Sequence, residues 1–236
     1  MPPRPLIIHF HCGDAAAAVH RKSGLPGELR VWRDSPAVGP WTAEARHLPY
    51  LRSGWWGQVP SNMRDLPNLE ELGDASQPTL WYGPDPWEQA CLLWVLAELP
   101  PTVRPDIVPL DRGVAQIPPP SLAGYFAQRV LMEAEAQARA RELWKVFLTE
   151  GWGGLRNAHM PELPFLGPAL ARLAEDHPPW GPGRTRKQIQ TLVTKGVRDL
   201  ASLMEGLKQM EDRTHGAWYG DMAIARMVEA MGVRLG

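Results

Sequence analysis

Leu6-Ile-Ile-His-Phe-His-Cys-Gly-Asp14 is the stretch of sequence that decides the fold. Its first five residues are apolar or nearly so, and they predict a buried strand over 6–10. An alanine-rich run follows from Ala15 to about Lys22 and stops before Gly24, which predicts a helix with a glycine at its end. A strand that passes through a short polar turn into a helix is the first half of a parallel β–α–β unit.

The same order of strand, polar turn and helix recurs along the chain. Leu29-Arg-Val-Trp-Arg-Asp34 predicts a second strand, and Gly39-Pro40 lies in the loop behind it. Thr79-Leu-Trp-Tyr-Gly-Pro-Asp-Pro-Trp-Glu-Gln89 predicts a third strand and the start of the next helix. Arg104-Pro-Asp-Ile-Val-Pro-Leu110 predicts a fourth short strand. We therefore expect an α/β fold in which residues 1–117 form a Rossmann-like domain with a parallel sheet.

The composition changes after Ile117-Pro-Pro-Pro-Ser121. Residues 121–150 contain no proline and are rich in alanine, glutamate, arginine and leucine, which predicts one or two helices. We assign 118–180 to a helical connecting region. A linker rich in proline and glycine then leads into residues 181–236, where three short helices predict a small helical, winged-helix-like domain.

Bulk composition places the chain among ordinary globular proteins, since 44% of its 236 residues are hydrophobic and 22% are charged. The net charge of −1 excludes a strong overall attraction to nucleic acid or to anionic membranes. Two cysteines make no disulfide framework, and the apolar run near the start is too short for a signal peptide or a membrane span, so we expect a cytoplasmic location. The 25 prolines restrict the unfolded chain, as in many thermophile proteins.

Polar residues follow each of the first three predicted strands. Parallel strands end at the same edge of a sheet and ligands bind in the crevice beyond that edge, so these residues are candidates for a ligand site. The candidate ligand-binding residues are His11, Gly13, Asp14, Asp34, Gly39, Arg52, Asp85, Glu88 and Gln89. We expect Asp14 and Glu88 to position polar groups of the ligand. Gln89 would read a hydroxyl group or a base edge, and Arg52 would balance an anion. A divalent cation between two of the carboxylates is compatible with this set.

Each of these residues also has a purely structural interpretation. Asp14 is a candidate N-cap, Asp34 is a candidate loop cap, and Glu88 is an ordinary residue for a first helical turn. Gln89 is different, because no rule of helix starts requires it. The sequence contains no P-loop, no Gly-x-Ser-x-Gly elbow and no three-glycine dinucleotide fingerprint. Its histidines and cysteines do not have the spacing of a zinc site.

A series of short motifs is spread over nearly the whole chain. They are, in order, Gly13-Asp14, Trp32-Arg33-Asp34, Gly39-Pro40, Tyr50-Leu51-Arg52, Leu80-Trp81-Tyr82, Asp85, Glu88-Gln89, Leu163-Pro164-Phe165-Leu166, Arg184-Thr185, Gln188-Ile189 and Tyr219-Gly220-Asp221. Their order and spacing resemble the bacterial domain of unknown function 1835 family, from which the chain departs at Pro84 and at Ser35-Pro36. No reaction is assigned to that family, so the resemblance implies an architecture and the place of a site.

From these observations we expect a protein that binds a small polar ligand, nucleotide-like or sugar-phosphate-like, at the carboxyl ends of the strands. A different interpretation is a protein–protein interaction module, in which Trp55, Trp56 and Trp87 form an exposed apolar patch.

A further interpretation is a DNA-binding or ligand-sensing transcriptional regulator. The stretch Arg184–Arg213 carries seven lysines or arginines against four acids. Thr185 and Gln188 have the spacing of a capping box, which predicts a helix start. A basic helix that carries Arg184, Arg186 and Lys187 is the type of element that enters a DNA groove.

Overall fold

The computed structural model describes residues 6–44, 47–57, 69, 72, 76–211 and 219–236. The strands of this part are β1 (Leu6–Cys12), β2 (Glu28–Trp32), β3 (Ser76–Trp81), β4 (Asp106–Ile107) and β5 (Val130–Leu131). They form one sheet in the order β2-β1-β3-β4-β5. Strands β1 to β4 are parallel to one another, and β5 runs antiparallel to β4. The predicted α/β class and the mostly parallel sheet are confirmed.

The described residues also form nine α-helices. These are α1 (Asp14–Ser23), α2 (Leu48–Trp56), α3 (Pro86–Glu98), α4 (Leu122–Ala127), α5 (Ala134–Gly154), α6 (Leu166–Asp176), α7 (Arg184–Thr194), α8 (Leu200–Met210) and α9 (Asp221–Ala230). The longest, α5, is interrupted at Gly151, whose φ of 66° is not helical. Within the part of the chain that the structure describes, no helix combines the length and the apolar character needed to cross a bilayer.

Helices cover both faces of the sheet. Side chains alternate along β1, so Ile8 and Phe10 lie on one face while His9 and His11 lie on the other. Ile8 and Phe10 belong to the larger core, which includes residues of α3, α5 and α6. The opposite face carries a smaller apolar cluster that contains Ala16 of α1 and Leu122 of α4. A sheet covered on both faces is what parallel strands require.

The central helix of the larger core is α3. Residues 89–96 are all buried, and α3 contacts both α5 and α6, so it is apolar nearly all round. The same core continues to Leu203 of α8 and Ile224 of α9. A continuous core therefore crosses the domain boundaries predicted at 117 and 180, which stay predictions.

The segment 121–150 departs from its predicted helices at one point. Helices α4 and α5 fill most of it, but β5 lies between them. Val130 pairs with Ile107, and Leu131 pairs with Asp106, so a two-residue antiparallel strand extends the sheet. The prediction of one or two helices is confirmed, but the strand between them was not predicted, because a strand this short forms only through its pairing partner and leaves no local pattern.

The predicted capping box before α7 is also wrong. The N-cap of this helix is Gly183. Thr185 Oγ1 donates instead to Asp176 Oδ2 at 3.0 Å, and Gln188 Nε2 donates to Glu211 Oε1 at 2.7 Å. Both side chains are drawn into a buried network around an ion pair, and such charge-assisted hydrogen bonds are stronger than a neutral cap.

Candidate functional site

The first turn of α3 brings three of the predicted site residues together. Asp85 is the N-cap, and its carboxylate accepts a hydrogen bond from the N–H of Glu88 at 2.9 Å. The carboxyl group of Glu88 accepts a hydrogen bond from the N–H of Gly83. Gln89 Nε2 donates to the carbonyl oxygen of Gly83 at 2.7 Å. Glu88 and Gln89 thus hold both backbone polar groups of Gly83 and fix the turn between β3 and α3.

The two carboxyl groups of this turn are partly removed from water. Burial raises the pKa of Asp85 to about 6, although hydrogen bonds from the N–H groups of Glu88 and Trp87 oppose the rise. Burial also raises the pKa of Glu88 well above its usual value, and the charge of Asp85 adds to the rise. Neutral carboxyl groups are poor metal ligands. The described residues contain no group of three or more His, Cys, Asp or Glu side chains placed to hold a metal ion.

The crevice between β1 and β3, where the site was predicted, is crossed by the chain that follows β4. A Cβ atom on Gly83 would lie 2.9 Å from the Cα atom of Gly113, so the two backbones are in direct contact. The next residues, Val114–Gln116, pack against α1. The chain after β4 therefore lies against both the end of β3 and α1.

Gly13 and Asp14 lie at the surface beside β2. The N-cap of α1 is Gly13, so the interpretation of Asp14 as the N-cap is wrong. Arg33 Nε lies 3.0 Å from each carboxylate oxygen of Asp14, whose side chain is 64% exposed. Exposed ion pairs of this kind contribute about 0–1 kcal/mol. Asp14 therefore forms a surface ion pair with Arg33 and does not belong to the turn that contains Glu88.

Asp34 and Arg52 form a buried ion pair. Arg52 Nε donates to Asp34 Oδ2 at 2.6 Å, and a second Arg52 nitrogen donates to Asp34 Oδ1. The guanidinium group also donates to carbonyl oxygens in the loop 35–40. Trp56 Nε1 donates to Asp34 Oδ1 at 3.1 Å. The polar groups of both residues are thus engaged within the protein, where they hold the loop behind β2 against α2.

Gly39 belongs to the same loop. Its φ is 72°, and a Cβ atom there would lie 2.6 Å from the ring of Trp55 and 2.8 Å from the guanidinium group of Arg52. Glycine is therefore required for this close approach. Trp56 is only 7% exposed, so the prediction of an exposed patch that includes it is wrong.

His11 lies on the face of the sheet that α1 covers. His11 Nε2 and His20 Nδ1 share a hydrogen bond at 2.9 Å, and the ring of His11 stacks on that of Trp81. Burial lowers the pKa of His11 well below its usual value, and the nearby His20 and His9 lower it further. His11 is therefore a neutral core residue, separated by the sheet from α3.

A cavity of about 550 Å³ opens one strand away from the predicted crevice, at the carboxyl ends of β3 and β4. Its walls are mostly apolar and come from both halves of the chain. They include Leu92 of α3, Val108 and Leu110 behind β4, Val130 and Leu131 of β5, and Leu163 and Phe165 before α6. The volume is within the range of small-molecule sites. Of the residues predicted for the site, all of which the structure describes, only Gln89 lines this cavity.

Two buried polar atoms in the cavity wall have no hydrogen-bond partner among the described residues. They are the hydroxyl oxygen of Tyr82 and Oε1 of Gln89. Tyr82 is 4% exposed and Gln89 is 3% exposed. A buried polar group without a partner costs about 1–3 kcal/mol, so an unpaired group in a native structure needs an explanation. Both residues line the cavity, but each of these two atoms exposes less than 1 Å² and therefore lies behind the cavity surface.

The charged side chains of the cavity lining are all acidic within the described chain. They are Asp111, Glu133 and Glu162, at exposed positions of the rim. Each forms an ion pair with an arginine outside the lining: Arg112, Arg104 and Arg139, respectively. The rim therefore attracts no anion by itself, and the interior presents hydrogen-bonding groups without a formal charge.

Two larger clefts in the described chain have no buried, unpartnered polar atom in their lining residues, whereas a small one of about 20 Å³ is lined by Gln188, whose Oε1 is such an atom. A cleft of about 720 Å³ lies beside Trp41 and Trp152, and one of about 440 Å³ lies beside Arg186 and Tyr219. None of the buried unpartnered polar atoms of the described residues belongs to the lining of either cleft. The cavity beyond β3 and β4 is therefore the best-supported candidate site.

Sequence reasoning missed Tyr82 and the segment 163–165 as site residues. Tyr82 directly follows β3, and its position at a strand end was the one available signal. Leu163-Pro164-Phe165 lies far away in sequence, and its apolar side chains are indistinguishable in the sequence from those of an ordinary core. Both had been noted only as motifs that resemble a family.

The three residues predicted for nucleic-acid binding, Arg184, Arg186 and Lys187, have different surroundings. Arg184 forms ion pairs with Glu175 at 2.9 Å and with Glu211 at 3.0 Å. Arg186 and Lys187 are exposed on α7. The charge of Arg184 is therefore balanced within the protein, whereas Arg186 and Lys187 extend from the surface.

Comparison with protein-family models, curated proteins and solved structures finds no match for this chain. The resemblance of its short motifs to the domain of unknown function 1835 family therefore stays a prediction. Function is inferred here from the geometry of the site.

Proposed function

We propose that this chain is a small-molecule-binding protein whose ligand occupies the cavity at the carboxyl ends of β3 and β4. The observation that carries the proposal is the cavity itself, which has a volume of about 550 Å³ and mostly apolar walls with Tyr82 and Gln89 among its lining residues. Apolar walls with a few convergent polar groups are typical of ligand sites. The position also agrees with a Rossmann-like sheet, in which ligands bind beyond the carboxyl ends of the strands.

The ligand expected from the sequence was nucleotide-like or sugar-phosphate-like, and the cavity favours only part of that expectation. Gln89 is the predicted base-edge reader that lines the cavity. Among the described residues, the rim offers a phosphate group no unpaired positive charge, because Asp111, Glu133 and Glu162 are each already paired with an arginine. We therefore favour a ligand without a phosphate group, bound in a cytoplasmic protein by hydrogen bonds and apolar contact.

A thermal-shift screen of the wild-type chain against nucleobases, nucleosides, sugar phosphates, amino acids and divalent metal salts tests this proposal. A ligand at a hundred times its Kd stabilises the folded state by about 2.7 kcal/mol, which is a readable shift. We expect nucleobases or nucleosides to give shifts, and sugar phosphates to give none.

Three variants locate the binding site of any hit. Val130 is 63% exposed at the cavity wall, so Val130→Trp should fill the cavity and abolish the shift with little effect on folding. Met222→Trp, at a 41% exposed methionine of α9, is the matched control and should keep the shift. Asp14→Asn should also keep it, because Asp14 lies outside the cavity lining. A shift that survives Val130→Trp, or that disappears in Asp14→Asn, contradicts the proposed location.

A second candidate function is a DNA-binding regulator, favoured by the charge pattern of α7. The charged residues within this helix are all basic, and Arg186 and Lys187 are exposed. The described residues of 181–236 form three helices and no strand, so the proposed reader is a helix without a wing. Gel shifts on genomic fragments test it: affinity should fall steeply with salt and weaken in Arg186→Glu. Binding that ignores both changes excludes this function.

A further inference from the structure

The two cysteines of the chain lie against each other in the larger core. Cys12 ends β1, on the face of the sheet that carries Ile8 and Phe10, and Cys91 lies in α3. Their Sγ atoms are 3.6 Å apart, although 79 positions separate the two residues in the sequence. Both are free thiols. A disulfide bond is about 2.0 Å long, so the two sulfur atoms need to approach by about 1.6 Å to form one, which is within the range of a side-chain rotation.

The hydrogen bonds of the pair show where the two thiol protons lie. Cys91 Sγ donates to the carbonyl oxygen of Asp34 at 3.4 Å. Each thiol has one proton, so in the contact between the two sulfur atoms Cys12 donates and Cys91 accepts. A lone pair of Cys91 Sγ therefore points at Cys12 Sγ, which is the direction of a nucleophilic attack on that sulfur.

Cys12 is the thiol that an oxidant reaches first. It is 8% exposed, whereas Cys91 is completely buried. The hydrogen bond with Cys91, together with burial, raises the pKa of Cys12 well above its usual value. The thiolate is the reactive form of a cysteine, so Cys12 reacts slowly and with a small, uncharged oxidant rather than a bulky one. Hydrogen peroxide is an oxidant of this kind.

We propose that Cys12 and Cys91 form a reversible disulfide in the presence of hydrogen peroxide, which locks the carboxyl end of β1 to α3. The thiolate of Cys12 attacks one peroxide oxygen, the O–O bond breaks, and the hydroxide that leaves takes up the thiol proton as water. Cys12 is then a sulfenic acid. Cys91 Sγ attacks this sulfur, the S–O bond breaks, and the leaving oxygen departs as a second water with the Cys91 proton. The two thiols lose two electrons and two protons, and one peroxide becomes two waters.

The cross-link acts on stability and on one hydrogen bond. It closes a loop of about 80 residues, which restricts the unfolded chain and stabilises the folded one. For a chain of this length we expect the Tm to rise by about 5–15 °C. The disulfide also removes the proton that Cys91 donates to Asp34, next to the buried ion pair of Asp34 with Arg52. This inference concerns a different part of the core from the cavity of the proposed function and does not depend on it.

Two rounds of alkylation test the proposal on the full-length protein. Wild type is incubated with hydrogen peroxide, denatured and treated with N-ethylmaleimide, then reduced with dithiothreitol and treated with iodoacetamide. The chain has two cysteines, and we expect mass spectrometry to find both labelled only in the second round. The protein should run as a single chain on a non-reducing denaturing gel. The rise in Tm should disappear after dithiothreitol, which reverses a disulfide and leaves any methionine sulfoxide in place.

Cys91→Ala is the matched control, since Cys12 alone cannot form this bond, and peroxide should not raise its Tm. The labelling of wild type does not depend on whether this variant folds. The proposal is overturned if both wild-type cysteines are labelled in the first round, if they are not recovered by reduction, or if the disulfide joins two chains. An internal disulfide that leaves the Tm unchanged or lowers it also overturns the proposed lock, because the bond would then strain the fold.

Discussion

Replacing His20 by asparagine perturbs a cluster of three histidines between the sheet and α1, and the expected effect depends on pH. His20 is 4% exposed, and its Nδ1 shares a hydrogen bond at 2.9 Å with Nε2 of His11. Its ring centroid lies 4.5 Å from that of His9. Burial lowers the pKa of His20 to about 4, with smaller contributions from the charges of His9 and Arg21. A proton on His20 is therefore unfavourable in the folded protein.

The size of the effect follows from linkage between protonation and folding. An unfolded histidine has a pKa of 6.5, against about 4 for folded His20. Below pH 6.5, His20 is protonated in the unfolded chain but stays neutral in the folded chain. The free energy of unfolding therefore falls as the pH falls towards 4. At pH 5 this loss is about 2 kcal/mol, and at pH 8 it is absent. His20→Asn removes the loss, so the stability difference between wild type and variant should shrink by about 2 kcal/mol from pH 8 to pH 5.

Urea unfolding at both pH values, followed by the fluorescence of the 11 tryptophans, measures this difference. Asp85 and Glu88 shift stability in the opposite direction, but they are present in both proteins and cancel. His159→Asn, at an exposed histidine, is the control. An equal gap between wild type and His20→Asn at pH 8 and pH 5 would refute the reasoning, since folded His20 would then take up its proton as readily as the unfolded chain does.

Two further predictions concern the residues that hold the strand ends. Asp34→Ala should destabilise the fold by about 3–5 kcal/mol in urea unfolding, because it leaves the buried Arg52 guanidinium group without its counter-charge; a loss below about 1 kcal/mol would show that water reaches Arg52. Glu88→Gln keeps an acceptor for the Gly83 N–H, and the raised pKa of Glu88 means that its ionisation opposes folding as the pH rises above the unfolded value. The free energy of unfolding of Glu88→Gln minus that of wild type should therefore be larger at pH 8 than at pH 5. A smaller difference at pH 8 would contradict the burial of the Glu88 carboxyl group.

The part of the fold that the sequence could predict is the part with strong local signals. The apolar run of β1, its polar turn and the alanine-rich α1 follow one another directly, so their identities need no knowledge of distant contacts. The two-residue β5 has no such signal and exists only because it pairs with β4. Thr185 is a second example. It was predicted to cap α7, but its hydroxyl group donates instead to the Asp176 carboxylate on another helix.

The residues predicted for the candidate site also differ in whether the sequence alone could identify their roles. Gln89 could be singled out because no helix-start rule explains it, and it is the predicted residue that lines the cavity. Asp34 and Arg52 were chosen for chemistry that would suit a ligand, and the fold uses that chemistry to pair them with each other. A carboxylate and a guanidinium group that recognise a ligand look the same in sequence as two that recognise each other.

The displacement of the site by one strand has a physical cause in the chain after β4. Gly113 lies directly against Gly83 at the end of β3, and the cavity opens beyond β3 and β4. There the antiparallel β5 and the segment 163–165 supply walls that the first 117 residues do not contain. The predicted boundary at 117 therefore runs through the cavity. Tyr82 and Gln89 belong to the first half of the chain, and the apolar enclosure around the cavity comes from both halves, so neither half forms the cavity alone.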